Sequence, residues 1–287
     1  MTGPAAPVTE PGGTRPAARG IGGAAVLIGG LTVAARVVGL GRQLVFAHTV
    51  QAFCLGTAYT TANQVPNVIY DIVLGGALTS IMVPVLAGPA EKAADPAARA
   101  EVSRTSSALL CWTVLILVPV SVALAALSGP VAGLLIPARV PGCSHATLIA
   151  TASQMLVVFA PQILLYGLAV VLFGILQAHR RFTAPAVAPV VSSIVVIAAY
   201  LVFVPLGGDH VRQLAGLPAS AELVLSVGTT AGVAALVVTA LGPVWRLHLR
   251  VRPGLRFPPG IARRAVALAG SPARCRTWSS PSGTNTR

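Results

Sequence analysis

Charged residues are scarce in this sequence: they make up 9% of its 287 residues, whereas soluble globular domains usually carry about 25%. Aromatic residues are also few, at 5%. Hydrophobic residues account for 55% of the chain, and the mean hydropathy is +0.80. So little charge, combined with long apolar runs, argues against a soluble domain and predicts an integral membrane protein.

Acidic residues are the rarest charges, because the chain has 7 Asp and Glu against 20 Lys and Arg, which gives a net charge of +13. In a soluble protein such an excess would suggest nucleic acid as a partner. Here most of the cations fall between hydrophobic segments. We therefore expect contact with membrane lipids and no nucleic-acid partner.

The motifs of common catalytic sites are missing. The sequence contains no G-x-S-x-G, P-loop or H-E-x-x-H pattern, and no D-D or D-x-D pair. Enzymes that act on lipid phosphates in membranes need clustered carboxylates for metal binding or general-base work. We therefore expect a protein that is not an enzyme and that uses no metal or cofactor.

The cysteines are few and widely separated, and none has the C-x-x-C spacing of a metal site. Cys54 and Cys143 fall in connections that the topology below places on the same side of the membrane, so a disulfide between them is conceivable. The sequence cannot place two thiols within bonding distance. We therefore favour the interpretation that all of these cysteines are small apolar filler, namely Cys54, Cys111, Cys143 and Cys275.

Apolar segments of membrane-spanning length recur along the chain. A transmembrane helix needs about 20 largely apolar residues, and an open β-sheet is excluded because its edges could not be satisfied in lipid. Prolines inside the segments are compatible with membrane helices. The sequence predicts an all-α, polytopic transmembrane bundle of about six helices, at roughly 21–50, 58–87, 105–128, 147–177, 183–206 and 221–245.

Basic residues are concentrated in alternate connections between these segments. The other connections hold only Arg139 and Arg212. By the positive-inside rule, both the amino terminus and the region after the sixth segment are cytoplasmic, in a multi-pass protein of the inner (plasma) membrane. The cytoplasmic cations are Arg15, Arg19, Lys92, Arg99, Arg104, Arg180, Arg181, Arg246, Arg250, Arg252, Arg256, Arg263 and Arg264.

The two ends of the chain differ from its apolar middle. Residues 1–20 are rich in Pro, Gly and Ala and predict a disordered cytoplasmic tail, followed by a six-helix transmembrane lobe at 21–250. Residues 251–270 read as a cytoplasmic basic segment and the start of an interrupted seventh helix, and 271–287 as an atypical polar tail. That tail is either an ordinary disordered terminus or the mark of a protein cut short, and we favour the second.

Two arginines, Arg36 and Arg42, lie inside the first apolar segment. Intramembrane charges are rare and usually face a bundle interior or a watery cavity. The alternative is that both side chains reach an interface. That would require the helix to end before Arg36 or to start after it, and the 15 residues of 21–35 are too few to span. We favour a cavity.

An anion is the natural ligand of such a pair. Arg36 and Arg42 would lie about 120° apart on an ideal helix, but Gly39 and Gly41 could relax or break the helix so that both reach one cavity. The planar guanidinium suits phosphate because it donates two parallel hydrogen bonds, so a pyrophosphate is a fitting ligand. Asp71 is expected to pair with one of the arginines; a proton or cation site is the alternative.

Three stretches of the sequence together resemble one known family. They are ARVVGLGRQLVFA, ANQVPNVIYDIVLGGALTSIMVPVLAG and FGILQAHRRFTAPAVAPVVSSI, and they are similar to the MviN/MurJ family of lipid II flippases, in the multidrug/oligosaccharidyl-lipid/polysaccharide exporter superfamily. The similarity runs from about residue 25 to 264. It implies one lobe of a two-lobed fold around a cationic cavity, and movement of a lipid-linked peptidoglycan precursor to the outer leaflet.

The resemblance also implies roles for individual residues. Arg36 and Arg42 match two first-helix arginines that are important for function in the family, and we expect both to bind pyrophosphate. Thr57 stands where better-known members have an acidic residue, and Tyr70 and Asp71 stand where they have two basic ones. Pro66, Asn67, Gly76 and Ala77 match the second-helix pattern, and the supporting cavity or helix-break positions are Gly39, Gly41, Asn63, Asn67 and Asp71.

Because the resemblance covers only the first lobe, three functions stay open. The chain is a lipid II flippase or its amino-terminal half, an exporter of another lipid-linked glycan or of a drug, or a non-functional membrane fragment. In the first case a second lobe encoded separately is a candidate partner.

Overall fold

The structure is a computed structural model that describes residues 17–50, 53–72, 96–207, 214 and 216–247. Every regular element in these ranges is an α-helix, which confirms the predicted all-α bundle. In chain order the helices are α1 (Ala17–Thr49), α2 (Cys54–Ile72), α3 (Pro96–Ala126), α4 (Ser128–Leu135), α5 (His145–Ala178), α6 (Thr183–Gly207) and α7 (Ala219–Trp245).

Five of the six predicted segments correspond to helices that are long and apolar enough to cross a membrane. These are the later part of α1 from Gly29, α3 from Val102, and the whole of α5, α6 and α7. The remaining segment, 58–87, overlaps α2, and its residues 73–87 lie outside the described part of the chain. The 8 residues of α4 are too few to span.

Helix α1 continues without a break through Gly39 and Gly41. The break that we considered at these glycines is therefore absent. A glycine inside a helix costs only about 0.5–1 kcal/mol relative to alanine, whereas a helix opened in lipid leaves backbone groups unsatisfied at several kcal/mol each. The helix also begins at Ala17, inside the predicted 1–20 tail. The predictions for 251–270 and 271–287 fall outside the described residues.

Helix α5 is the centre of the bundle, since it packs against α2, α3, α4 and α7. Helix α7 packs in turn against α6, and α6 packs against α1. Within the spanning windows, 61% of the α5 residues are buried, but none of the α1 residues is. Helix α1 is thus attached at the edge of the lobe, and the other described residues leave much of its surface uncovered.

Small residues let α6 and α7 approach closely. Gly228 and Gly232 are four residues apart on α7, a spacing that favours close contact between membrane helices. A β-carbon added at Gly228 would collide with Ala199, and one at Gly232 would collide with Val196 and lie 3.2 Å from the Ser192 carbonyl oxygen. The pattern was not among our sequence predictions, although its spacing is visible in the sequence.

A disulfide joins Cys54 at the start of α2 to Cys143 in the connection before α5, with the two Cα atoms 5.7 Å apart. Our preferred interpretation of both cysteines as apolar filler was therefore wrong. The sequence separation of 89 hides the pairing, and the packing of α2 on α5 brings the two thiols together. Cys111 is a free thiol, and Cys275 lies outside the described residues.

Candidate functional site

The two intramembrane arginines leave α1 in different directions. Because the helix is continuous, Arg36 and Arg42 are about 9 Å apart along its axis and about 120° apart around it. Arg36 is exposed, whereas Arg42 is half-buried. Only Arg42 shares a helical face with Phe46, one turn further on.

Phe46 connects this face of α1 to a buried group of aromatic rings. Its ring centroid lies 5.3 Å from that of Tyr59 on α2 and 5.4 Å from that of Tyr200 on α6. Tyr59 also packs edge-on against Phe159 of α5 and against Tyr200, at 5.7 and 6.1 Å. We call Phe46, Tyr59, Phe159, Tyr200 and the adjoining Thr229 the tyrosine cluster.

The hydroxyl groups of the tyrosine cluster bond to one another. The Tyr59 hydroxyl oxygen lies 2.8 Å from that of Tyr200 and 2.8 Å from Thr229 Oγ1 on α7. Thr229 in turn donates to the backbone carbonyl of Leu225, at 2.7 Å. Tyr59, Tyr200 and Thr229 are all buried, where hydroxyl groups require such partners. Helices α2, α6 and α7 are therefore linked by polar contacts inside the apolar bundle.

Arg42 is near enough to the hydroxyl groups of Tyr59, Tyr166 and Tyr200 for a long-range electrostatic interaction, but it makes no hydrogen bond to them. No ion pair involves Arg36 or Arg42 within the part of the chain that the structure describes. Arg42 therefore has neutral oxygen atoms in its vicinity and no carboxylate partner among the described residues. A guanidinium in such surroundings is suited to bind an anion.

Helix α2 contributes amide groups near Arg42. Asn67 Oδ1 accepts a hydrogen bond from the Tyr166 hydroxyl at 2.9 Å. Asn63 Oδ1 is buried and has no hydrogen-bond partner among the described residues. Arg42 lies one turn before Phe46 on α1, and Asn63 lies one turn after Tyr59 on α2, about 6 Å in each case. Because the two helices run in opposite directions, Arg42 and Asn63 are at a similar depth.

The structure does not join Asp71 to either arginine, contrary to our expectation of an ion pair. Asp71 is exposed near the end of α2, and its charge acts on Tyr70 and Tyr166. Depth separates it from Arg42, because Asp71 is 12 residues beyond Tyr59, about 18 Å along α2, whereas Arg42 is four residues from Phe46, about 6 Å along α1. Gly39 and Gly41 lie in open space, with nothing within 4 Å of a β-carbon added at either position.

Sequence reasoning missed the tyrosine cluster. The chain has only 4 tyrosines, and all of them take part in the ring contacts around α2, α5 and α6. This scarcity of tyrosine, with each one inside an otherwise apolar segment, was a usable signal. Which of them would meet Arg42 depended on helix packing.

A groove of about 610 Å³ lies between α2 and α4, away from the arginines. No cationic side chain lines it, so it is not a site for an anion. In the described ranges, no three His, Cys, Asp or Glu side chains are grouped so as to hold a metal ion. The groove is lined by Thr60, Thr61, Gln64, Val65, Val68, Ile69, Val131, Leu134 and Leu135.

Comparisons with known proteins agree on one family. The family model described as Lipid II flippase MurJ matches residues 46–271. A probable lipid II flippase MurJ of Synechocystis sp. is 29% identical over 241 residues, which cover 80% of this chain and 41% of the relative. The lipid II flippase MurJ of Burkholderia cenocepacia is 27% identical over 183 residues, 63% of this chain and 34% of the relative. The chain thus spans less than half the length of these relatives.

A solved structure shows the same fold. It is that of a lipid II flippase MurJ in an inward closed conformation, with a TM-score of 0.62 at 17% identity, covering 85% of this chain and 47% of the other. Together with the apolar helices, these matches identify a multi-pass membrane protein. The family match starts at residue 46, so the case for Arg36 and Arg42 rests on their own surroundings.

Proposed function

This chain belongs to the lipid II flippase MurJ family, and we propose that it forms the amino-terminal lobe of such a flippase. In this proposal the lobe binds the pyrophosphate of the lipid-linked peptidoglycan precursor while the head group crosses the membrane. The relatives are named as flippases, which are transporters, and the chain is a transporter component rather than an enzyme.

The observation that carries this proposal is the setting of Arg42. A central arginine costs about 2.5–3.5 kcal/mol even on insertion scales, and here no carboxylate of the described residues offsets that cost. One turn along the same face of α1, Phe46 packs against Tyr59 and Tyr200, whose hydroxyl groups are neutral. A site of this kind favours an anionic ligand, and the pyrophosphate of a lipid-linked sugar is one that already lies in the membrane.

We propose that Arg36 and Arg42 act one after the other. On a continuous helix they are about 9 Å apart and face different directions, which does not suit joint binding of one pyrophosphate by a rigid α1. Exposed Arg36, nearer the amino-terminal end, would meet the head group first. Arg42, beside the tyrosine cluster, would hold it next.

Helix α1 needs a second lobe beside it to enclose the path of the ligand across the membrane. None of its spanning window is buried, and the relatives are more than twice as long as the segments they share with this chain. We propose that a second lobe covers this face, whichever chain supplies it. Movement of the two lobes against each other would then give alternating access.

The disulfide supports an orientation with the amino terminus in the cytoplasm. Disulfides persist in oxidising compartments outside the cytoplasm. Cys54 and Cys143 are joined at one end of the bundle, the end that the positive-inside rule places outside. Two independent arguments thus favour the same topology.

Binding of lipid II to the purified chain in lipid nanodiscs tests the proposal. We expect Arg42→Ala and Arg36→Ala each to weaken binding by about tenfold or more, as for charged hydrogen bonds. Arg139→Ala is the matched control, because Arg139 is exposed in the connection between α4 and α5. Unchanged binding by Arg42→Ala would overturn the proposed site. Tighter binding of another prenyl-linked glycan would reassign the cargo.

A further inference from the structure

We propose that Tyr200, Tyr59 and Thr229 form a one-way chain of hydroxyl groups that positions Arg42 by turning oxygen lone pairs toward its guanidinium. The inference rests on the function proposed above, in which Arg42 binds an anion. It assigns these three residues as positioning residues that act through Arg42 and do not themselves touch the ligand.

The direction of the chain follows from counting protons. Thr229 has one hydroxyl proton, and the Leu225 carbonyl, which can only accept, receives it. Tyr59 must therefore donate its own proton to Thr229 Oγ1 across their 2.8 Å contact. That leaves the Tyr59 oxygen as the acceptor of the Tyr200 proton. The hydroxyl dipoles run from Tyr200 to Leu225, and their negative end is the Tyr200 oxygen.

This negative end lies on the side of α1 that carries Arg42. The Phe46 ring packs against both Tyr59 and Tyr200, and Arg42 precedes Phe46 by one helical turn on the same face. Each tyrosine oxygen keeps a lone pair that the chain does not use.

Neutral acceptors suit this task better than a carboxylate would. An aspartate beside Arg42 would stabilise the guanidinium but would also cancel the charge that attracts the anion. Hydrogen bonds in a chain polarise one another in a medium of low dielectric constant, so the terminal oxygen stabilises the cation while the net charge of the site stays at +1. The arrangement stabilises the arginine within the membrane and leaves its charge available to bind an anion.

The test measures binding of a C15 prenyl pyrophosphate to residues 1–287 in nanodiscs. We expect Tyr200→Phe and Tyr59→Phe each to weaken binding by about tenfold, since each removes one oxygen and keeps the ring. Tyr70→Phe is the matched control, because the Tyr70 ring stacks on Tyr166 but its hydroxyl makes no hydrogen bond among the described residues.

The far end of the chain gives a second test. Thr229→Val should weaken binding, and Thr229→Ser should restore it, because only serine keeps the hydroxyl. The control is Thr239→Val on the same helix, since Thr239 makes the same bond to its own helix, to the Ala235 carbonyl. If Tyr59→Phe fails to fold, the binding measured for Tyr200→Phe, Thr229→Val and Thr229→Ser tests the proposal.

A double-mutant cycle separates positioning from general support of the fold. Tyr200→Phe should have no further effect on binding in an Arg42→Ala background. Equal loss in both backgrounds, or normal binding by Tyr200→Phe while Arg42→Ala fails to bind, would overturn the positioning role and leave the proposed function standing. Normal binding by Arg42→Ala would overturn both.

Discussion

Helices α1 and α5 have almost the same length, 33 and 34 residues, but very different surroundings. In α5, 61% of the spanning window is buried and the mean hydropathy is 2.4; in α1 the values are 0% and 1.2. Both are apolar enough to cross a membrane, yet only α5 is surrounded by its own chain. In the proposed function, structural support and anion binding are thus divided between two helices of similar appearance.

The largest expected contrast is between core truncation on α5 and truncation on α1. Phe159 of α5 is fully buried against Tyr59, whereas Val37 of α1 is exposed. Phe159→Ala should lower the free energy of unfolding by about 3–5 kcal/mol because it leaves a cavity, and Val37→Ala should change it by at most about 0.5 kcal/mol. Thermal unfolding in detergent measures both. Similar losses for the two variants would contradict the comparison.

Removal of the disulfide tests whether α2 depends on its attachment to α5. The bond closes a loop of 89 residues, and its loss should destabilise the protein by about 2–4 kcal/mol. We expect Cys54→Ser and Cys143→Ser to have equal effects that do not add in the double variant. Cys111→Ser, which changes a free thiol, is the control. Additive losses would mean that the cysteines act separately.

Two glycine substitutions compare a packed helix face with an open one through smaller changes in stability. Gly232→Ala should destabilise by about 1–3 kcal/mol through overpacking, since the new methyl group meets Val196 and the Ser192 carbonyl. Gly39→Ala faces open space and should stabilise α1 by about 0.5–1 kcal/mol because alanine favours a helix. Unfolding curves of the two variants should therefore move in opposite directions. Destabilisation by Gly39→Ala would indicate a contact that this chain alone does not make.

Exchanging one cation for another should affect binding and leave stability unchanged. Arg42→Lys should weaken pyrophosphate binding by about tenfold, or about 1.4 kcal/mol, because an ammonium group cannot donate two parallel hydrogen bonds. Stability should not change. The binding constant is measured as before, with Arg139→Lys as control. Binding as tight as in the unchanged chain would mean that charge alone, and not the planar fork, holds the anion.

Several features could be predicted from the sequence because they depend on composition and period. The membrane class, the helical fold and the family follow from apolar segments, scarce charge and short motifs, and the comparisons confirm them. The anion-binding roles of Arg36 and Arg42 stay predictions. The spacing of Arg36 and Arg42 could also be predicted. Whether α1 is broken or continuous between them could not, because two glycines permit either.

The sequence by itself determined where apolar segments lie and which of them carry charge, since both are properties of neighbouring residues. Only the tertiary structure decided which distant groups meet: Cys54 with Cys143, Tyr59 with Tyr200 and Thr229, and Phe46 of α1 with both tyrosines. The physical reason is that these contacts depend on helix rotation and on close approach at Gly228 and Gly232. Rotation by one residue turns a side chain by about 100°, a change that leaves composition and apolar length untouched.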